Sequence, residues 1–322
     1  MTLREALISG RSFLGSAREA QALGGGVPDG GVLGGRTLDS DAFDSDAFDS
    51  ATLDAEVLLM HAAGVTREQM IAHRERPLAV AEAERFENFL LLRREGKPVA
   101  QIIGECEFFG LPFFVDERVL IPRPETELLV EHAITRLAAL DAEIAHGRRL
   151  LEIGTGSGAI AIAIASRLPE LRVLATDVSL DALEVAARNV ERHKVRPNIE
   201  LLHSDLCAAV PREEFIGVVA NLPYGGEGKA HFFADSVLRY EPHTALFGGP
   251  DGLDLYRKLL TQIGAWRMQP HFIIGEFGFS QEEPVREICE RFAAHAGQKW
   301  TYEIQPDLAG IPRVFILQQS DG

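Results

Sequence analysis

Two short stretches of this 322-residue chain carry residue types that can do chemistry. In LEIGTGSGAI, Gly154, Gly156 and Gly158 follow an apolar run ending at Ile153, with Thr155 and Ser157 between them. Glycines at this spacing let a turn take positive φ and let a ligand come against bare backbone. A helix starting near Ser157 would aim its free N–H groups and positive end at that ligand. The next apolar run, RVLATD, ends in Asp177, where a carboxylate can accept both hydroxyls of a ribose. The second stretch is NLPY, made of Asn221, Leu222, Pro223 and Tyr224. The side-chain oxygen of Asn221 and the carbonyl of Leu222 can accept both protons of an –NH2 group. Pro223 stiffens that presentation, and Tyr224 can cover a flat substrate face. Such a set suits a nitrogen whose delocalised lone pair makes it a poor nucleophile, held in line with an electrophile. The two acceptors also favour the positive charge that develops on the nitrogen.

These residues need elements that deliver them to one edge. From residue 149 onward, apolar strand-like runs alternate with amphipathic helical ones, which predicts a doubly wound, mostly parallel α/β sheet. Glycine loop, Asp177, Asp205 and NLPY each follow a strand, so all four should line one crevice at the strands' carboxyl ends. There Asp205 can accept from an adenine amino group, with Leu206 beside it. The pattern is G-x-G-x-G with no Walker lysine, Glu152 before it and Asp177 after it. It resembles the S-adenosylmethionine loop of class I methyltransferases, whose seven-stranded sheet closes with an antiparallel hairpin. WTYEIQP and RVFILQQ, joined by a short turn, would supply that hairpin.

Upstream, residues 1–95 read as a small helical domain of a kind that recognises a partner, and residues 96–122 as a β-hairpin linker. Residues 123–322 read as the catalytic domain. TREQ at residues 66–69 has capping-box spacing. Residues 24–50, rich in Gly, Asp and Ser, read as a disordered insert, and they lack the glycine turn and closing Glu of a calcium loop. The formal net charge of −16 weighs against a broad nucleic-acid-binding surface. The three cysteines are far apart, with no zinc spacing, as expected of a reduced cytoplasmic protein without a metal. Neither a secretory signal nor a membrane-spanning run is apparent. A monomer is expected.

The segments RREGKPVAQIIGECEFFGLPFFVDERVLIPRPETE, LEIGTGSG, NLPY, EPHTALFGGPDGLDLYRKLL and DLAGIPRV carry a more specific resemblance. Together they are similar to the PrmC/HemK family, N5-glutamine methyltransferases acting on class 1 peptide chain release factors. The resemblance implies that Gly154, Thr155, Gly156, Ser157, Gly158, Asp177 and Leu206 bind S-adenosylmethionine, joined by Asp205 and Asn221. It implies that Asn221, Leu222, Pro223 and Tyr224 hold the glutamine amide of a Gly-Gly-Gln loop, with Asn221, Pro223 and Tyr224 catalytic. It also implies that the helical domain docks on the release factor. The family usually has NPPY. Leucine retains the backbone carbonyl, so activity should survive with a somewhat looser loop. The rivals are an RNA adenine-N6 methyltransferase, in which the NLPY form occurs, and a catalytically silent S-adenosylmethionine-binding scaffold.

Overall fold

The computed structural model describes residues 1–24, 40–140, 147–226, 228, 233–266 and 270–320. They form two compact units, Met1–Ile103 and Gly104–Gly322.

The first unit is helical: α1 (Leu3–Gly24), α2 (Ser40–Ala63), α3 (Arg67–Ala72), α4 (Val80–Arg94) and α5 (Val99–Ile103). Leu3, Ala55, Leu58, Leu59 and Phe86 are fully buried among these helices. At Gly10 the packing leaves no room for a side chain, since a Cβ there would sit 2.7 Å from Phe86 Cζ. The capping box is present, with Thr66 Oγ1 accepting from Gln69 N and Gln69 Oε1 from Thr66 N. Within the segment expected to be a disordered insert, residues 25–39 lie outside the described residues, whereas residues 40–50 form the first turns of α2. The unit also continues past residue 95 to include α5, which contributes Val99, Ile102 and Ile103 to the core.

The second unit opens with β1 (Glu105–Phe108) and β2 (Leu111–Phe114), an antiparallel hairpin turning at Phe109 and Gly110, both at positive φ. It is part of this unit's core and not merely a connection. Phe108 and Phe113 are buried in that core, and Asn189 holds the β2 backbone with Nδ2 to Phe114 O (2.9 Å) and Oδ1 from Phe114 N (2.8 Å). A 3-10 turn (Pro124–Thr126) leads into α6 (Glu127–Ala139). There follow β3 (Arg149–Ile153), α7 (Ala159–Arg167), β4 (Val173–Asp177), α8 (Leu180–Arg192), β5 (Ile199–His203), β6 (Phe215–Ala220), α9 (Asp235–Tyr240), a 3-10 turn (His243–Ala245), α10 (Asp254–Trp266), β7 (Phe272–Glu276), α11 (Glu282–His295), β8 (Trp300–Pro306) and β9 (Pro312–Gln319).

The seven strands lie in the order β5-β4-β3-β6-β7-β9-β8, and β9 pairs antiparallel with both β7 and β8. Side chains alternate between the two faces as the strand period requires. Leu150 and Ala175 belong to the core under α6 and α7, and Leu151 and Leu174 to the core under α10 and α11. Gly217 on β6 is obligatory, because a Cβ there would sit 2.3 Å from the ring of buried Phe272. Strand order runs outward from β3 in one direction and from β6 in the other. This reversal opens a crevice beyond the carboxyl ends of those two strands. Both motifs of the sequence lie there. Among the described residues, no helix is long and apolar enough to cross a membrane.

Candidate active site

The glycine loop leaves β3 with Gly154, Gly156 and Gly158 at φ +76, +54 and +82, the left-handed region that only glycine enters without strain. Gly158 is the residue before α7, so the helix starts at Ala159 and slightly later than the spacing suggested. The backbone N–H groups of Gly154 and Thr155 both donate to Thr176 O on β4 (2.9 and 2.8 Å). Ser157 O accepts from Asn189 Nδ2 at 2.9 Å, which ties the loop to α8. Nothing lies within 4 Å of the point where a Gly156 side chain would begin, so that face of the loop is bare backbone open to a ligand.

Asp177, at the end of β4, braces this loop. Its Oδ2 accepts from Gly156 N (2.8 Å) and its Oδ1 from Ser179 N (2.9 Å), and burial raises its pKa. Beneath the loop, Glu152 is fully buried. Burial pushes its carboxyl up to about 7, while the Thr155 hydroxyl, donating to Oε2 at 2.7 Å, pulls the other way. Its Oε1 has no hydrogen-bond partner. Asp205 and the buried Leu206 (φ +50) reach the same cleft. Asp205 also has a partner that the sequence did not reveal, since Lys258 Nζ lies 2.7 Å from Oδ2. The cleft thus offers an open glycine cradle and carboxylates at the ends of the second and third strands. These are donor and acceptor types that fit the ribose and amino-acid ends of an adenosyl sulfonium.

A second cavity, of about 470 Å³, adjoins this cleft. The two share Leu120, Arg123, Asn221, Leu222 and Ala245 in their walls. Asn221 therefore stands where the two cavities meet. Its Nδ2 is held by Thr126 Oγ1 and by Glu276 Oε2, each at 3.0 Å. Thr126 Oγ1 donates to the same carboxylate oxygen at 2.6 Å, and the Tyr224 hydroxyl lies 3.4 Å from Oε1. Glu276, the last residue of β7, is 2 % exposed, and burial raises it to about 7 against the opposing pull of the Thr126 bond. Burial, followed by the Glu276 charge, also raises the Tyr224 phenol well above its ordinary value.

The NLPY backbone is clamped from several sides. Tyr256 on α10 places its fully buried hydroxyl 3.0 Å from Ala220 O and 2.5 Å from Glu276 O, and it accepts from Leu222 N at 3.3 Å. Gln281 Nε2 donates to Tyr224 O (2.9 Å) and Asp251 O (2.8 Å). The glycines of ALFGGPDGL are explained by contact with this loop. A Cβ on Gly248 would lie 2.0 Å from Pro223 O, and one on Gly252 the same distance from Tyr224 O. The IPRPE segment is fixed by Glu241, whose buried carboxylate accepts from Ile121 N (3.0 Å) and pairs with Arg123 Nη2 (2.5 Å).

Leu222 is buried at 3 % exposure against the glycine loop, its Cδ2 3.2 Å from the position of a Gly154 Cβ. Unlike proline, it keeps a backbone N–H for Tyr256, so the loop is fastened where the sequence suggested slack. Sequence reasoning missed Glu276, Glu241, Tyr256 and Gln281. Only an acidic residue closing the apolar run HFIIGEF gave a signal for the first.

The PrmC N-terminal domain model matches residues 40–104 and the methyltransferase small domain model residues 125–240. A protein of Chlorobaculum tepidum named release factor glutamine methyltransferase is 46 % identical over 209 residues, which are 64 % of this chain and 71 % of that protein. One of Koribacter versatilis with the same name is 37 % identical, covering 81 % of this chain and 89 % of its own length. Among solved structures, the hMettl16 catalytic domain in complex with an RNA hairpin superposes with a TM-score of 0.51 at 20 % identity, over 74 % of this chain and 82 % of its own. That likeness concerns the fold.

Proposed function

Because this chain belongs to the release factor glutamine methyltransferase family, we propose that it methylates the side-chain amide nitrogen of the glutamine in the Gly-Gly-Gln loop of class 1 peptide chain release factors. The observation that carries this reading is the position of Asn221, which lines both cavities and has its –NH2 end tied back to Thr126 and Glu276. S-adenosylmethionine is the methyl donor, and it supplies a carbon made electrophilic by its sulfonium sulfur. Gly154, Thr155, Gly156, Ser157, Gly158, Asp177, Asp205 and Leu206 hold it, with Asn221 at the methyl end.

On the substrate side, Asn221 Oδ1 and the Leu222 carbonyl accept the two amide protons, and Tyr224 covers the flat face. Pro223 keeps the two acceptors in register. Fixing the nitrogen this way replaces a random encounter with one orientation, worth several kcal/mol of barrier. Both acceptors strengthen as nitrogen becomes positive, so they favour the transition state over the ground state. The N–C bond would form as the methyl–sulfonium bond breaks and its electron pair stays on the departing thioether sulfur. The nitrogen then sheds its proton to water, and no strong base is required because a protonated amide is itself strongly acidic.

The substrate is a protein and not a nucleic acid, a reading supported by the net charge of −16. We place the chain in the cytoplasm as a monomer, with its helical unit as the docking element for the release factor. Incubation with labelled S-adenosylmethionine and purified release factor, its Gln→Ala loop variant or ribosomal RNA tests the assignment. Label is expected on the wild-type factor alone. Label on RNA, or on the Gln→Ala variant, would reject it.

A further inference from the structure

Three protons converge on one buried carboxylate at this site. Thr126 Oγ1 and Asn221 Nδ2 both donate to Glu276 Oε2, at 2.6 and 3.0 Å, and the Tyr224 hydroxyl faces Oε1. Asn221 Nδ2 lies equally close, 3.0 Å, to Thr126 Oγ1, so the two neighbouring oxygens share the same side of its –NH2. Three different groups thus face Glu276 as donors, and Glu276 accepts from each. A side chain that only accepts is a carboxylate. Protonation would turn one carboxyl oxygen into a donor, and the group facing that oxygen would have to turn its own hydrogen away. The reverse rotamer of Asn221 would set its oxygen against a buried negative charge.

We propose that Glu276 is the positioning residue of methyl transfer: its carboxylate fixes the rotamer of Asn221 and steadies Tyr224, so that Asn221 Oδ1 is presented to the substrate –NH2. The inference rests on the reading that Asn221 holds the accepting nitrogen, and deepens it by naming what makes Asn221 an acceptor. Thr126 serves as the bridge. This also gives the IPRPETE segment a function, because its threonine is the hinge between that segment and β7.

The arrangement makes the rate depend on the ionisation of Glu276. The groups acting on it are Thr126 and Glu125 from the 3-10 turn, Tyr224 after β6, and Arg313 from β9. Tyr256 from α10 meets its backbone carbonyl. Burial dominates and holds the carboxyl near 7, so kcat should fall as pH drops through about 7. Glu152 titrates in the same range, but under the glycine loop, where it would move cofactor affinity and not kcat.

A double-mutant cycle on the full chain, with release factor as substrate, tests the proposal. Glu276→Gln keeps the shape and removes the charge. Its kcat should fall about 10²-fold, with cofactor affinity by calorimetry unchanged and the acid limb of the kcat profile gone. Asn221→Ala should fall at least as far, and the double variant should be no slower than Asn221→Ala alone. Thr126→Val, a milder change, should show a smaller loss that Asn221→Ala likewise absorbs. Multiplicative losses, or a Glu276→Gln kcat within about threefold of wild type, would overturn the proposal. The ligand-free protein offers a readout that needs no turnover. The side-chain amide resonances of Asn221, identified by their loss in Asn221→Ala, should titrate near neutral pH in wild type and stay fixed in Glu276→Gln. Inactivity of wild type on release factor would reject the function alone, and a pH-independent Asn221 signal would reject the role of Glu276.

Discussion

Replacing Glu152 by Gln should make the stability of this protein less dependent on pH. In the unfolded chain the carboxyl has its ordinary value of 4.5, and in the folded protein burial raises it to about 7. Below 4.5 the group is neutral in both states. Between the two values the unfolded chain ionises while the folded one keeps its proton, so the folded state binds more protons and stability falls as pH rises. The full gap corresponds to about 3 kcal/mol. Between about pH 5.5 and pH 8 the loss is about 2 kcal/mol. Glu152→Gln removes this dependence. It retains an oxygen for the Thr155 hydroxyl but sets an –NH2 where Oε1 now has no partner, a cost of about 1–3 kcal/mol that is the same at every pH. Urea denaturation of both proteins at the two pH values separates the static cost from the slope. Glu276 titrates equally in both, so it cancels. Wild type should lose about 2 kcal/mol more than the variant on going from acid to alkaline buffer. Parallel losses in the two proteins would refute the reasoning and imply that Glu152 is already ionised in the fold.

Other substitutions probe the transfer site. Asn221→Ala should lower kcat by about 10²-fold or more, with cofactor affinity by calorimetry little changed, because it removes an acceptor for the substrate nitrogen. Leu222→Pro restores the residue more usual at this place in related enzymes but deletes the N–H donated to Tyr256. Thermal denaturation should show a change within about 1 kcal/mol, since a stiffer loop offsets the lost bond. Gly248→Ala places a methyl carbon 2.0 Å from Pro223 O, so the NLPY loop must move. Its kcat should collapse while S-adenosylmethionine binding survives, as measured by single-turnover kinetics and calorimetry.

The parts of this account legible in the sequence are those in which one residue type answers one local demand. Gly154, Gly156 and Gly158 were readable because three left-handed positions at alternate residues require glycine. The sheet was readable from short apolar runs alternating with amphipathic helical ones, and its closing hairpin from the short turn before β9. What escaped depends on residues far apart in the chain. Glu276 meets Thr126 across 150 positions and Asn221 across 55, and nothing local marks a buried carboxylate at the end of HFIIGEF. The Lys258 partner of Asp205 lies on α10 and was hidden for the same reason. Composition misjudged residues 40–50. Asp and Ser repeats resemble a loop, yet this stretch runs without a break into the apolar turns of α2 that bury Ala55, Leu58 and Leu59. The IPRPETE and ALFGGPDGL segments looked like family signatures without a mechanism. Both are now seen to hold the NLPY loop, one through Thr126, itself in a segment fixed by Glu241, the other through close backbone contact.

The central claim is that Asn221 presents a glutamine amide nitrogen to the methyl donor. Peptide mass spectrometry of release factor after incubation with this protein and S-adenosylmethionine tests it most directly. The account predicts one added methyl group on the peptide carrying the Gly-Gly-Gln loop, with fragment ions placing it on the glutamine side chain, and none when Asn221→Ala replaces the wild type. A methyl group on any other residue of the factor, or undiminished methylation by Asn221→Ala, would contradict it.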